Sequence, residues 1–248
     1  MWDRPDALNR SADLLLAVAL LLALYGAFHV VVRLPLFPLR EVRVMHPLAY
    51  VKPGQIETLI RREVHGNFFT VDIAAVRAAF VKLPWVREAS LRRAWPDRLE
   101  VTLEEHVPLA RWGESGLLNT QGEVFNAAYD GNLPVFAGPP ESAKEMAIQY
   151  EHFRRSLETI GKVPQQLRVT ARRAWQVKLE DGMTLELGRE EVEPRLARFI
   201  AAYRLTLAPL TRKVEVVDLR YGNGFAVRIP ELRHDKGVPK GRRSTSQG

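Results

Sequence analysis

The run "LLLAVALLLALYGAFHVVV" (14–32) contains no Asp, Glu, Lys or Arg over 19 residues and is bounded by Asp13 and Arg33. A helix rising about 1.5 Å per residue carries such a run about 28 Å, close to the ~30 Å hydrocarbon core of a bilayer. A cleaved export signal has a shorter apolar region, about 7–15 residues, followed by a small-residue cleavage site. Here the run ends in Val30-Val31-Val32-Arg33. The stretch therefore reads as an uncleaved membrane-spanning helix from Leu14 to Val32, behind a short tail over 1–13. His29 lies near one end of the span, within reach of the interface, and is not placed for a proton relay. Orientation does not follow from charge. Arg4 and Arg10 precede the span while Arg33, Arg40 and Arg43 follow it, which does not favour a cytoplasmic N-terminus, yet long domains cross largely regardless of charge.

Beyond the span, 26% charged and 46% apolar residues are ordinary for a folded chain. The absence of cysteine excludes disulfides, thiolate metal sites, cysteine nucleophiles and lipoprotein acylation. Part of the +7 net charge comes from "RHDKGVPKGRRSTSQG" (233–248), which has too little apolar surface to offset its ordering entropy and reads as a disordered basic tail.

Two folded modules of α+β class lie between. Residues 33–106 read strand, helix, helix, strand, strand. In "KPGQIETLIRREV", Ile56, Leu59, Ile60 and Val64 share one helical face, and Pro53 and Gly54 mark its start. Asp72 is placed to cap a second helix whose Val76, Phe80 and Leu83 form a stripe, and Pro84 ends it. Two strands follow across "AWPDR", the second with Leu99, Val101 and Leu103 inward and Glu100, Thr102 and Glu104 outward. Trp85 and Trp95 bracket the first, and at least one of them is expected to be substantially buried.

Residues 107–232 read as a mainly antiparallel sheet with flanking helices. "LLNTQGEVF" and "AWQVKLEDGMTLELG" are hairpins turning at Gln121-Gly122 and Asp181-Gly182. Ser142 and Glu145 read as a capping box before a helix striped with Met146, Tyr150, Phe153, Leu157 and Ile160, closed by Gly161. A further helix near 192–207 aligns Val192, Leu196, Phe199 and Tyr203. In "DLRYGNGFAVRI" (218–229), Gly222, Asn223 and Gly224 tolerate positive φ and suggest a last hairpin. Its second strand puts Phe225, Val227 and Ile229 on one side and Ala226 and Arg228 on the other. The chain then turns polar, so this strand is expected to lie at an open sheet edge.

Catalytic patterns are weak. "WGESGL" has Leu117 where a nucleophile elbow needs glycine. The six histidines have no close helical spacing, Glu104 and Glu105 alternate across a strand, and Gly222-x-Gly224 lacks a third glycine and a helix. No metal site, cofactor or small-molecule substrate is expected.

"LPWVREASLRRAWPDRLEVTLEEHVPLARW" (83–112), "TARRAWQVKLEDGMTLELG" (170–188), "RLARF" (195–199) and "VDLRYGNGFAV" (217–227), in that order behind one N-terminal anchor, closely resemble the bacterial FtsQ/DivIB cell-division family. The resemblance implies a single-pass inner-membrane protein with a cytoplasmic N-terminus, concentrated at the division septum. It also implies a periplasmic POTRA domain (33–106) and a β domain (107–232). It further implies a non-enzymatic scaffold that binds FtsB and FtsL and helps recruit and control the septal peptidoglycan synthases FtsW and FtsI.

By the same resemblance, the positions of Arg172, Arg220 and Tyr221 belong to the FtsB-contacting surface. Gly222, Asn223, Gly224, Phe225, Ala226, Val227 and Ile229 then form the adjoining turn and strand. Some family members have Trp where this chain has Ile229. The alternative is a POTRA-type polypeptide-transport or outer-membrane assembly factor, but such proteins carry repeated POTRA units and a large barrel. Nucleic-acid binding by the tail would require it to be cytoplasmic, which a single span and a periplasmic domain forbid.

Overall fold

Helix α1 (Pro5–Arg33) is continuous in the computed structural model, which describes residues 5–34, 37–210 and 212–230. It begins at Pro5, so the first segment expected to be a tail is helical from that residue on. Its apolar window, Asp13–Val32, buries none of its surface against the described protein. A helix apolar on every side and without a protein partner fits a transmembrane helix. The basic tail over 233–248 lies outside the described residues.

The chain divides into two compact units, 1–106 and 107–248. In the first, the strands are β1 (Glu41–Val44), β2 (Val86–Ala94) and β3 (Arg98–Glu105), in the order β1-β3-β2. β1 runs parallel to β3 and β2 antiparallel to it. Helices α2 (Pro53–Glu63) and α3 (Ile73–Val81) close one face. The period-two pattern of β3 sends Leu99, Val101 and Leu103 into a core shared with Ile56, Leu59, Val76 and Phe80. Asp72 caps α3 by accepting the Ala75 N–H at 3.0 Å.

Two residues of this unit have structural roles that their surroundings in sequence do not announce. Glu105 accepts the backbone N–H groups of Ala49, Tyr50 and Val51 at 2.6–2.9 Å, which fixes the chain entering α2. Trp85 is half-buried and stacks on Tyr50, their ring centres 4.0 Å apart, whereas Trp95 is 78% exposed on the β2–β3 turn. Of the two tryptophans, only Trp85 contributes to the core.

The second unit carries nine strands among the described residues. They are β4 (Pro108–Trp112), β5 (Gly116–Asn119), β6 (Val124–Phe125), β7 (Val135–Ala137), β8 (Pro164–Val169), β9 (Trp175–Leu179), β10 (Thr184–Gly188), β11 (Val216–Asp218) and β12 (Ala226–Arg228). They form one sheet, ordered β12-β11-β10-β9-β8-β7-β4-β5-β6. Helix α4 (Ala143–Glu158) crosses between the parallel pair β7 and β8, and α5 (Val192–Thr206) between the parallel pair β10 and β11. Both helices bury their stripes on the same sheet face, where Met146, Tyr150, Phe153, Leu157, Leu196, Phe199 and Tyr203 meet Val177, Leu185 and Val217. "WGESGL" is the turn between β4 and β5, a strand-turn-strand and not the strand-turn-helix of a nucleophile elbow.

The capping box at Ser142 is not formed. Pro139 and Pro140 open a 3₁₀ turn, Pro140–Ser142, so Ser142 already has helical backbone angles. Its hydroxyl donates back to the Pro139 carbonyl at 2.6 Å, and Glu145 pairs with Arg173 instead.

Candidate protein-interaction site

The end of the sheet carrying β12 gathers most of the residues marked out by the sequence. β12 pairs with β11 in antiparallel register, Val216 opposite Arg228, Val217 opposite Val227 and Asp218 opposite Ala226. No strand pairs with its other side among the described residues. The connection to it is a loop over 219–225, longer than the tight turn suggested by Gly222-Asn223-Gly224. None of these three residues adopts a positive φ. The loop is held instead by α5, whose Arg198 donates to the Gly222 carbonyl, and by Phe225, whose ring meets Phe199 edge-on at 6.3 Å.

Backbone direction along β11 determines what β12 displays. The Thr184 N–H donates to the Glu215 carbonyl at 2.8 Å and the Leu219 N–H to the Glu186 carbonyl at 2.9 Å. In a parallel ladder this places the backbone groups of Val217 toward β10 and leaves those of Val216 and Asp218 to face β12, while Glu215, just before the strand, divides its carbonyl and N–H between the two neighbours. Their partners, Arg228 and Ala226, therefore turn backbone groups inward, and the Glu215 N–H reaches the Arg228 carbonyl at 3.0 Å. Val227, between them, directs its N–H and C=O to the open side. Side chains follow the other alternation. Phe225, Val227 and Ile229 pack against the core under α5, while Ala226 and Arg228 are exposed on the opposite face.

The charged groups at this end differ in availability. Arg220 is held by Asp218 through a forked pair, Nε–Oδ1 2.8 Å and Nη2–Oδ2 2.6 Å. Hydrogen bonding to the Arg220 side chain holds the Asp218 carboxyl below the usual range and raises the guanidinium pKa further. Tyr221, next along, is 58% exposed. Arg172 sits on the turn between β8 and β9, where Arg173 takes φ +60° and pairs with Glu145. Arg172 itself is exposed and has no carboxylate partner among the described residues.

This turn and Arg220 lie at the same sheet end. Trp175, which starts β9, is opposite Gly188, and a Cβ on Gly188 would come within 3.1 Å of Arg220. With strands about 4.8 Å apart, the β9 and β11 backbones are about 10 Å from each other. Glu186, Val216, Asp218, Arg220, Tyr221 and Arg228 line a shallow, open hollow beside the strand. Such a surface offers backbone pairing and a polar rim, with no enclosed chamber for a small substrate.

An apolar helix of bilayer length, a two-helix, three-stranded unit and a second unit built on one nine-stranded sheet define a two-unit α+β protein behind a helix that fits a transmembrane span. Residues 37–106 match the family model "POTRA domain, FtsQ-type", and residues 110–220 match "Cell division protein FtsQ/DivIB, C-terminal". The chain is 46% identical over 233 residues to the cell division protein FtsQ of Nitrosospira multiformis, covering 92% of this chain and 99% of that one. It is 38% identical over 250 residues to the FtsQ of Burkholderia pseudomallei, covering 98% and 100%. With the FtsQ of Neisseria gonorrhoeae the identity is 35% over 236 residues, covering 92% and 95%. The chain belongs to the FtsQ/DivIB family of cell-division proteins.

Proposed function

We propose that this protein is a non-catalytic divisome scaffold whose strand β12 receives a strand of FtsB, with FtsL in the same complex. Through that complex it recruits and helps control septal peptidoglycan synthesis by FtsW and FtsI. The N-terminus is cytoplasmic and both folded units are periplasmic, anchored in the inner membrane at the septum. The observation that carries this reading is the outward backbone of Val227 on an edge that, among the described residues, has only Arg228 and Pro230 to protect it. Natural proteins usually blunt such edges with charge, proline or a bulge, and an edge left open is suited to strand addition.

In this arrangement the backbone of β12 supplies affinity. Arg172, free of a carboxylate partner, takes an acidic group of the incoming chain, and Tyr221 supplies rigid contact area. Arg220, fixed by Asp218, acts as a preset rim contact. Gly222, Asn223 and Gly224 border the entry of the strand, and Phe225, Ala226 and Ile229 flank the central Val227.

The test is Val227→Pro. A proline there removes one outward N–H and no bond within the sheet. Binding to the periplasmic region of FtsB should be abolished while the second unit stays folded, its melting temperature lowered only by the lost packing of the Val227 side chain. Binding at parental affinity would show that the docking site lies elsewhere.

A further inference from the structure

The first unit is joined to the membrane helix by more than the chain itself. Asn67, 5% exposed, lies in the "HGNFFT" connection between α2 and α3. Its Nδ2 donates to the Val32 carbonyl at 2.7 Å and to the Leu34 carbonyl at 3.0 Å. Its Oδ1 accepts the Phe69 and Thr70 N–H groups, each at 3.0 Å. A helix end leaves its last carbonyls without intrahelical donors, and one leaving a bilayer must satisfy them before water is plentiful. Asn67 does so for the Val32 carbonyl of α1, and the Leu34 N–H for that of Val31, so the Asn67 loop is set at the level where the apolar span stops.

Several apolar groups crowd that level without being needed by the core. Phe69 is 44% exposed and meets the rings of Phe37 and Phe68 edge-on at 5.1 and 5.2 Å. Leu34 is 39% exposed. Arg93, near the end of β2, donates to the carbonyls of Phe68 at 2.7 Å and Val71 at 2.9 Å, tying the sheet to the same loop. Two residues further on is Trp95, and the Asp97 carbonyl in its turn accepts the Arg40 N–H at 2.9 Å. Arg40 and Arg92 at this end have side chains each 75% exposed, although Arg40 lies 4.0 Å from Asp97 and Arg92 pairs with Glu100 at 2.5 Å.

We infer that this end of the first unit docks on the bilayer surface, with Phe69 and Trp95 seated in the headgroup layer. The occupant follows from continuity with the membrane helix. Val32 closes the span, the polar layer beyond it is only about 5–7 Å thick, and Asn67 holds the loop against that last turn. Aromatic side chains with neighbouring Arg residues are the composition that membrane interfaces select. Docked in this way, the first unit is a fixed extension of α1, and the direction of its sheet relative to the membrane is set by the span.

The chain has no cysteine, so Phe69→Cys and Trp95→Cys each create one attachment point for a nitroxide. Ala49→Cys, beside Glu105 at the opposite end of the sheet, serves as the reference. The full chain is placed in vesicles of phosphatidylethanolamine and phosphatidylglycerol, without partners, and collision of each label with a water-soluble nickel chelate and with oxygen is measured. Labels at 69 and 95 should be severalfold less accessible to the chelate, and more accessible to oxygen, than the label at 49. Equal chelate accessibility at all three positions overturns the inference. Protection that appears only after the periplasmic partner proteins are added overturns it too, in favour of a protein contact. Trp95 is mostly exposed, so its replacement leaves the core intact, and an unchanged melting temperature for that variant validates the measurement.

Discussion

The guanidinium of Arg220 is gripped by Asp218, whereas that of Arg172 is exposed on a turn with no carboxylate partner among the described residues, so substitutions at the two positions act differently. Arg220→Glu sets two carboxylates side by side at the rim and should weaken FtsB binding tenfold or more, as should Tyr221→Ala, each about 1.4 kcal/mol. Titration calorimetry with the partner's periplasmic region measures both. The Asp218–Arg220 pair also makes a statement about pH. A carboxyl held below its ordinary value keeps the pair intact above that value and loses it only as pH falls through the lowered one. Affinity should therefore be flat from pH 7 to about 5, since Asp normally titrates near 3.9. A loss already at pH 6 would implicate a different group. In the first unit, Trp85→Ala removes a side chain stacked on Tyr50 and should cost about 3 kcal/mol, measured by denaturant unfolding. Trp95→Ala, at 78% exposure, should stay within about 0.5 kcal/mol of the parent.

Strand β12 is three residues long, and proline separates its two sides cleanly. Of the backbone groups, Val227→Pro removes one on the open side only, with some loss of side-chain packing, while Val217→Pro sits in β11, paired on both flanks, and should unfold the second unit. Ala226→Ser, an exposed position on the strand, should bind nearly as the parent does. Pull-down and thermal melts of the three variants form one experiment, in which the loss of binding and the loss of fold must fall on different proteins. If Val227→Pro melts as low as Val217→Pro, β12 is integral to the fold and its outer side is not a free edge. Much at this scale was legible before the structure. The alternation of Phe225, Val227 and Ile229 gave the buried side of the strand, and the polar segment after Pro230 suggested an edge. The turn was misjudged because glycine permits positive φ without requiring it, and here α5 shapes the loop through Arg198 and Phe199.

Across the whole molecule, an apolar helix of bilayer length precedes two folded units. Asn67 contacts α1 through backbone carbonyls, and those are the same for any helix. Another transmembrane helix should therefore substitute for 14–32 in part, provided its last turn keeps the position of Val32 relative to Asn67. Localisation of a fluorescent fusion to the septum, with immunoblotting for insertion and amount, measures this. A swapped protein that is inserted and stable yet fails to reach the septum would assign a recognition role to the side chains of the span.

The sequence by itself determined the long apolar helix, the helical stripes and the strand alternation, because each depends on residues close together in the chain. Burial preference repeats at 3.6 or two residues wherever an element has one apolar face, and a span of bilayer length needs no tertiary context. Tertiary structure alone decided which groups were already occupied. It turned Glu145 away from a cap toward Arg173, gave Asn67 the carbonyls of Val32 and Leu34, and set Glu105 against 49–51. It also decided that β12 pairs with β11 on one side only, since sheet order is set by where crossover helices α4 and α5 return the chain. Hydrogen bonds between residues distant in the chain leave no periodic trace, because one donor and one acceptor meeting in space need no pattern around either.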